Sequence, residues 1–398
     1  MKRTYQYRLY PRRAERRALD LLLEQSREVY NAALAQCKGA YETAGKHQTG
    51  INQWSYFRDW RNTYADLILN ATSVQQILRR LDKAYSAFFR RIKAGEKEPG
   101  HPRFKGRNRF NSLEYTYSDG VKLVYDEAFD RFVLYVQNVG NIKVKAHRFL
   151  PDGAAIKHVV LKRKATGWYV CLMLDMPDVD VCPNGLPAVG GDVGLLRLLT
   201  LSDGTQIDNP RWLRDALAEL RRAQRRLARR VKGSQRRRNA RVLTAKLHEH
   251  VANVRRDFWH KVTTWLVNTY GLIALEKLNL AFMTRNSHLS LSAHDAGLGI
   301  FRQLLDSKAE NAGCHVTLVA PAYTSQVCSG CGAIVEKVLS VRVHVCPDCF
   351  LELDRDINAA RNILSLALKS AWIGPSAVNV AAVQGKRRLR SCRLQATE

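Results

Sequence analysis

Three stretches decide how this chain reads: YTSQVCSGCG (323–332), HVCPDCF (344–350) and DRDINAARN (354–362). The first two contain the matched pairs Cys328/Cys331 and Cys346/Cys349. The short spacing within each pair lets both of its thiolates bite one ion, so the four sulfurs can surround a single Zn²⁺ tetrahedrally. Unrelated buried cysteines would not repeat that spacing. A redox Cys-x-x-Cys usually comes singly beside a βαβ pattern, so that reading is weak. Asp354 and Asp356 follow directly, and carboxylates suit a different, harder metal.

Two apolar strands upstream also end in an acid. AVGGD (188–192) ends at Asp192 and LIALE (272–276) at Glu276. Ligands in α/β sheets sit at the carboxyl ends of strands. Three carboxylates brought together repel, and their pKa values rise unless cations neutralise them. Two Mg²⁺ ions about 4 Å apart would do so, and would clamp the attacking and leaving oxygens of a phosphodiester. Each acid also has a plainer role. Asp192 can cap the turn after its strand, Glu276 can pair with Lys277 or Arg285, and Asp354 and Asp356 can cap the following helix. The acids are separated by 84 and 80 residues, and spacing alone does not bring them together.

Composition narrows the partners. The chain has 398 residues and 46% hydrophobic residues, which excludes wholesale disorder and suggests two to four compact units, roughly one per 100–200 residues. Its formal net charge is +28, spread along the whole sequence, which fits a long nucleic-acid groove better than a membrane-binding tail. Nine cysteines are present. Those outside the two pairs (Cys37, Cys171, Cys182, Cys314, Cys392) show no pairing pattern, as in a reducing cytosol. The basic start MKRTYQYRLYP is followed by no apolar signal segment, and no run reaches the roughly 20 apolar residues of a membrane span. A soluble cytoplasmic protein associated with the nucleoid, with no membrane partner, is expected.

Along the chain, residues 3–10 alternate like a strand, and 14–44 show helical spacing. A second amphipathic helix is expected over about 73–92 with Ser73 as its N-cap. A Pro/Gly-punctuated basic loop, PGHPRFKGRNRF, follows at 99–110. Strands are predicted at 121–125, 131–136, 141–145, 156–163 and 167–175, forming a small barrel or sheet joined by residues 3–10. A Pro/Asp-rich linker lies at 176–187. The next part opens with a hairpin turning at Asp203-Gly204. A helical hairpin over about 210–270 turns at Gly233-Ser234, and its segment 221–241 has eleven basic residues in twenty-one. After the 272–276 strand come a loop with Asn279, Asn286 and several serines, a helix from about Asp295 to Ala312, and a strand at 315–320. His248, His250 and His260 form no HExxH pattern, and no metal is assigned to them.

Taken in order, YRLYP (7–11), LRRLDKAYSAFFRR (78–91), PGHPRFKGR (99–107), VGGDVGL (189–195), the basic KGS segment (232–234), HEHVANVRRDFWHK (248–261), LEKLNL (275–280), DAGLGIFRQLLDSKAE (295–310), YTSQVCSGCG and DRDINAARNIL (354–364) resemble the TnpB family. These are RNA-guided nucleases carried by bacterial insertion sequences and related to compact type V CRISPR effectors. The resemblance covers about residues 1–368. It implies a multidomain α/β-plus-β architecture: an RNase H-like (RuvC) nuclease domain with an inserted zinc ribbon, and an N-terminal wedge β-barrel with a helical recognition insertion. The implied boundaries are 1–10 and 111–180 for the barrel, 11–110 for the insertion and 188–322 for the nuclease core. The zinc ribbon spans 323–352, the final RuvC segment 353–368 and a basic, disordered tail 369–398.

The resemblance also implies an Mg²⁺-dependent endonuclease. A transposon-derived guide RNA would direct cleavage of double-stranded DNA beside a short target-adjacent motif, with base pairing reading the target. One protein per RNA is favoured over an oligomer. The implied catalytic acids are Asp192, Glu276 and Asp356, holding two Mg²⁺ ions, with Asp354 left as a helix cap. One structural Zn²⁺ belongs to Cys328, Cys331, Cys346 and Cys349. Gln75 and Gln76 lie where the family reads its adjacent motif, and an amide can pair bidentately with adenine. Arg103, Lys105 and Arg107 interleave with Phe104 and Phe110, which suits phosphate contact and base stacking, or equally loop anchoring by the aromatics. Arg225, Arg229, Arg230 and Lys232 are expected on the guide or heteroduplex backbone. Gly191 and Phe350 depart from the family, which has a β-branched residue before the first acid and a glycine after the second cysteine pair. A nuclease-inactive guided repressor, a transposase or its accessory, and an RNA-independent junction resolvase are the competing readings. The three intact acids argue against the repressor.

Overall fold

The computed structural model describes residues 2–45, 47–63, 67–107, 109–177, 183–321, 323–338 and 341–372. The expected tail lies outside them from 373 onward, as do residues 178–182 of the linker. The chain divides into two compact units, Met1–Val179 and Asp180–Glu398.

The first unit runs β1 (Lys2–Tyr10), α1 (Arg13–Ala44), α2 (Gly50–Thr63), α3 (Ala71–Lys93), β2 (Ser112–Thr116), β3 (Val121–Asp126), β4 (Arg131–Val136), β5 (Gly140–Lys145), β6 (Ala155–Lys164) and β7 (Gly167–Asp175). All seven strands form one antiparallel sheet in the order β2-β6-β7-β1-β5-β4-β3. Alternation places Tyr5, Tyr7 and Leu9 of β1 and Trp168, Val170, Leu172 and Leu174 of β7 on one face, where they share a core with Leu19, Leu22, Val29 and Leu34 of α1 and Val74, Leu78 and Leu81 of α3. Strand β2 was not predicted.

One helix reading changes and one helix is new. Helix α3 begins earlier than expected, because Asn70 is its N-cap: Asn70 Oδ1 accepts the Ser73 amide at 2.8 Å. Helix α2 has a weak apolar stripe, with only Gly50, Gln53 and Phe57 buried. Its placement comes from tertiary bonds instead. Asp82 Oδ1 of α3 accepts the Gly50 amide at 2.8 Å, and Gln53 Nε2 donates to the Ala33 carbonyl at 2.8 Å.

The second unit runs β8 (Ala188–Asp192), β9 (Arg197–Leu201), β10 (Gln206–Asp208), α4 (Trp212–Ala228), α5 (Gln235–Thr269), β11 (Leu272–Glu276), α6 (Leu280–Arg285), α7 (Ser290–Ala296), α8 (Leu298–Ala312), β12 (His315–Val319), β13 (Val343–Val345), β14 (Glu352–Asp354) and α9 (Arg355–Trp372). Its main sheet has the order β10-β9-β8-β11-β12. The β8–β9–β10 strands are antiparallel, whereas β11 runs parallel to both β8 and β12. Trp259 of α5 and Phe301 of α8, both buried, pack with ring centroids 4.5 Å apart in the core below this sheet.

The segment expected as a loop contains α6 and α7. Asn279 Oδ1 caps α6 by accepting the Phe282 amide at 3.0 Å. Asp295 belongs to α7 and does not start the next helix, since Gly297 at φ +65° breaks the chain before α8. The buried Asp295 carboxylate instead accepts the amides of Leu213 (2.8 Å) and Arg214 (3.2 Å) at the start of α4.

Helix α9 lies directly on β8. A Cβ at Gly190 would overlap the Ala360 carbonyl oxygen and stand 2.8 Å from the Leu364 amide nitrogen. Gly190→Ala is therefore expected to lower stability by at least about 1–3 kcal/mol, the usual range for overpacking against a backbone that cannot yield. Urea unfolding of the two proteins checks it.

Candidate nuclease site and cysteine cluster

Register brings the first two acids together. Leu275 pairs with Gly191 across parallel β11 and β8. The next residues, Glu276 and Asp192, therefore leave the sheet side by side on strands about 4.8 Å apart. Asp356 reaches the same place from the first turn of α9. With Gly194, Arg197 and Arg342, Asp192 and Asp356 line a cavity of about 220 Å³.

The electrostatics follow from this crowding. Burial, then the Asp356 and Glu276 charges, push the Asp192 carboxyl up from 3.8 to about 7, while Arg355 and the Val193 amide pull the other way. Burial also raises Glu276, opposed by a hydrogen bond from Thr324. Asp354 behaves differently. Burial would raise it, but Arg197, at 2.8 Å, and the amides of Asp356 and Ile357 hold it below its ordinary value. Those amides, 2.9 and 3.3 Å from Asp354 Oδ1, make it the cap of α9. Arg342 Nη1 stands 4.0 Å from Asp356 Oδ1. Asp192 and Glu276, half-buried and with raised pKa values, are what a bound cation would relieve, so the site fits divalent metal.

The cysteines fit a different ion. The four Sγ atoms lie within 4.8 Å of one another, the one group of three or more potential ligands among the described residues to do so. Cys328–Cys349 is 3.6 Å and Cys331–Cys346 3.5 Å, close to the sulfur separation of about 3.8 Å that a tetrahedral Zn²⁺ with 2.3 Å bonds requires. Burial disfavours the Cys328 thiolate, but the amides of Cys331 and Gly330, His344 and Cys349 outweigh it and bring the thiol down to about 6. Cys331 and Cys349 go the other way: at Cys331 the Ala333 amide lowers the thiol, but the neighbouring sulfurs outweigh it and push the thiol up to about 12, so the sulfurs share protons that a bound cation would displace.

Two asparagines absent from the sequence-based site tie cluster and helix together. Asn358 is fully buried; its Oδ1 accepts the Ser329 amide at 2.9 Å and its Nδ2 donates to the Val327 carbonyl at 2.7 Å. Asn362 Nδ2 donates to the carbonyls of Thr324 (2.9 Å) and Val327 (2.7 Å). The signal was present as two polar residues four apart along an apolar helix.

The nucleic-acid candidates divide by exposure. Gln76 is buried, 6% exposed, in the first unit with its Nε2 unpaired, while Gln75 is half-buried. Phe110 is core, beneath Arg80 at 4.8 Å, whereas Phe104 is exposed beneath Lys38 at 4.8 Å. Arg103 and Arg107 are exposed, and the Lys105 backbone is pinned by Asn31 at 2.8 and 3.0 Å. Arg225, Arg229 and Lys232 are exposed on the hairpin; Arg230 is half-buried, and its carbonyl accepts from Arg237 at 2.7 Å.

Comparison with known proteins gives the family and the fold. Residues 172–287 match the OrfB_IS605 family, described as "Probable transposase". Residues 299–363 match "Cas12f1-like, TNB domain" and residues 1–46 a "Helix-turn-helix domain". In the structure the last of these is strand β1 followed by the single long helix α1. A "Putative RNA-guided DNA endonuclease" from Streptomyces pristinaespiralis is 31% identical, covering 94% of this chain and 91% of its own. The chain belongs to the OrfB_IS605/TnpB family. A second relative, InsQ of Escherichia coli K12, with the same description, is 30% identical over 85% of this chain and 86% of its own. Among solved structures, Cas12f1 in a complex with sgRNA and target DNA superposes with a TM-score of 0.59 at 17% identity, covering 88% of this chain and 82% of the other. The compact effector CRISPR-Cas_phi3 gives 0.56 at 10% identity, covering 92% of both chains. The TnpB chain thus shares the mixed α/β fold of these effectors. No helix among its described residues is long and apolar enough to cross a membrane.

Two measurements test the site. Asp192 has a folded pKa above its unfolded value, so the folded chain keeps the proton and loses stability as pH rises from 3.8 to about 7. In Mg²⁺-free buffer at about pH 8, Asp192→Asn is expected to be more stable than wild type by about 2–4 kcal/mol. The gap should close below about pH 4 and narrow when Mg²⁺ is added; urea unfolding across pH reads all three effects. Phe350 sits at φ 58° and is exposed, a strained conformation for a bulky residue. Phe350→Gly is expected to raise stability by about 0.5–1 kcal/mol, measured as slower Zn²⁺ loss to a chelator and a higher melting temperature.

Proposed function

We propose that this protein is an RNA-guided DNA endonuclease whose nuclease centre is Asp192, Glu276 and Asp356. The convergence of these three acids, from two parallel strand ends and one helix start, carries the reading. The second unit's sheet and α9 are read as an RNase H-like (RuvC) core, with residues 323–352 as a zinc ribbon inserted before its last helix. The first unit is read as the wedge and recognition domain. The names of the relatives support guided DNA cleavage, and the Cas12f1 complex supports guide RNA and target DNA as partners.

Asp192 and Asp356 line a cavity of about 220 Å³, and Glu276 ends the strand beside that of Asp192, an arrangement that suits more than one cation. Bound there, two Mg²⁺ ions would supply an activated water and stabilise the leaving 3′ oxygen. The chain's own residues provide the frame. β8 and β11 fix Asp192 and Glu276 in register. Asp354, locked by Arg197, caps α9 and so fixes the backbone of Asp356. Arg342 brings positive charge to the cavity for the scissile phosphate. Four thiolates close a coordination shell and leave no open position, so the cysteine site is structural. Exposed Arg103 and Arg107 and the α4–α5 hairpin are suited to phosphate backbones, where they would add affinity without sequence choice.

The protein would be co-expressed with its flanking locus and its co-purifying RNA sequenced. A plasmid would then carry the guide-matched target beside a randomised segment. Double-strand breaks are expected only with Mg²⁺ and a matched target. Asp192→Asn, Glu276→Gln and Asp356→Asn should each cut at least about a thousandfold more slowly while RNA binding stays near wild type. Retained cutting by Glu276→Gln would sink the site assignment. Confirmed target binding without cuts would favour a guided repressor.

A further inference from the structure

The turn between α4 and α5 is held from inside by one arginine of the basic run. A helix end leaves its last carbonyls without intrahelical partners, and α4 ends at Ala228. Arg237, in the first turn of α5, supplies the missing donors. Its Nη1 donates to the Leu227 carbonyl at 3.0 Å and to the Arg230 carbonyl at 2.7 Å. The Ser234 hydroxyl donates to the Val231 carbonyl at 2.8 Å and accepts the Arg237 amide at 3.1 Å. The carbonyls of Leu227, Arg230 and Val231 are thus all tied to the start of α5. Gln235 and the core residue Trp259 are separated by roughly 36 Å of helix, at about 1.5 Å per residue. At that distance bonds within the hairpin, not the sheet, fix the turn.

The other cations around the turn have a different task. Residues 221–241 contain no acid, and Arg236 and Arg238 sit at the positive end of α5, where its dipole disfavours them. Arg229, Lys232, Arg236 and Arg238 are exposed, whereas Arg237 is half-buried. We propose that Arg237 is a positioning residue of a nucleic-acid-binding tip: its guanidinium is engaged by carbonyls, and it holds the turn in the shape that presents Arg229, Lys232 and Arg236 together to a phosphate backbone. Cations that repel one another spread apart on a loose turn. On a locked turn they meet the phosphates as a set, with less conformational entropy left to lose on binding. The proposal rests on the reading of the hairpin as a phosphate-contacting surface.

The test uses the full-length protein and an RNA–DNA duplex of about 20 base pairs, with affinity measured by fluorescence anisotropy from about 50 to 200 mM salt. Arg229→Ala and Lys232→Ala are each expected to lower the slope of log affinity against log salt by about one. Arg237→Met removes one charge and keeps the stem, yet should lower the slope by about two, because the exposed cations lose their common geometry. In its background Arg229→Ala should then change the slope by less than about half of what it does alone. Amide hydrogen exchange of the free protein reads the lock directly. The Arg230 and Ser234 amides, bonded within the turn to Leu227 and Val231, should exchange about tenfold faster in Arg237→Met and near the wild-type rate in Arg229→Ala. The two helices remain packed along Leu220, Ala223, Ala240 and Thr244, so the variant is expected to keep its fold. Arg237→Gln is a second variant and should give the same two effects.

A slope that falls by about one in Arg237→Met, additive with Arg229→Ala, overturns the proposal, because Arg237 is then one more phosphate contact. Faster exchange with wild-type affinity and slope overturns it too, since the lock then serves the fold alone, and so does unchanged exchange. Wild-type affinity and slope in both Arg229→Ala and Lys232→Ala overturn the underlying reading of the hairpin as a phosphate-contacting surface, which separates the two failures.

Discussion

The close approach of α9 to β8 is the constraint on which the second unit depends. It exists because Gly190 presents no side chain where the Ala360 carbonyl and Leu364 backbone arrive. With the helix seated there, successive residues of one short run face different tasks. Asp356 turns to the cavity, Asn358 and Asn362 take the backbone of 324–329, and the buried Ala359, Ala360 and Ile363 fill the contact with the sheet. A larger residue at 190 would lift the helix and move all of them at once. The acid, the cysteine knuckle and the sheet thus share one mechanical reference.

Charge is distributed against this frame in two opposite ways. The chain as a whole carries +28, yet burial pushes Asp192 and Glu276 toward neutrality, and at Asp192 the neighbouring acids add to it. Arg197 is spent on Asp354, and Arg342 stays at 4.0 Å from Asp356 without forming a close pair. Full internal neutralisation would remove the need for cations. The incomplete pairing keeps the centre short of positive charge, while the exposed surfaces carry an excess that suits a polyanion.

Legibility in the sequence followed the range of the forces involved. Strands β3 to β7 were readable because one face is buried and the alternation is local. The turns at Asp203-Gly204 and Gly233-Ser234 were readable from their dipeptides. Helix α2 was not, because its position is set by Asp82 and by the Ala33 carbonyl, residues distant in sequence. Asp295 looked like the start of a helix, and its carboxylate in fact serves the first turn of another, 81 residues upstream. At the candidate site the ligand types were legible and their supports were not. Two acids could be placed at strand ends, but their adjacency needed the register of β8 on β11. Gln76 shows the same limit: a polar residue on a helix offered a base-reading amide, and tertiary packing turned it inward.

Gly191 and Phe350, the two positions where the resemblance implied a different residue, show how differently a fold absorbs an unusual side chain. At Gly191 a Cβ would meet Leu275 at 2.9 Å, Leu199 at 3.0 Å and Leu201 at 3.3 Å. The neighbouring strands have closed over the missing side chain, so the lost packing is replaced and the acid beside it keeps its register. Restoring a β-branched residue alone would then overpack a site already filled. At Phe350 nothing closes in: the ring is 83% exposed and the backbone holds a left-handed angle that its Cβ opposes. The compensation there has to come from elsewhere. The Phe350 amide donates to the Cys346 carbonyl at 3.0 Å, and the Cys346 amide donates to the Leu351 carbonyl at 3.0 Å. Those two bonds, together with the metal the four sulfurs are arranged to hold, keep the turn in place. One departure is thus buffered by side chains that can shift, the other by a ring of backbone bonds and ligands that cannot, and this makes the second the more dependent on its ion.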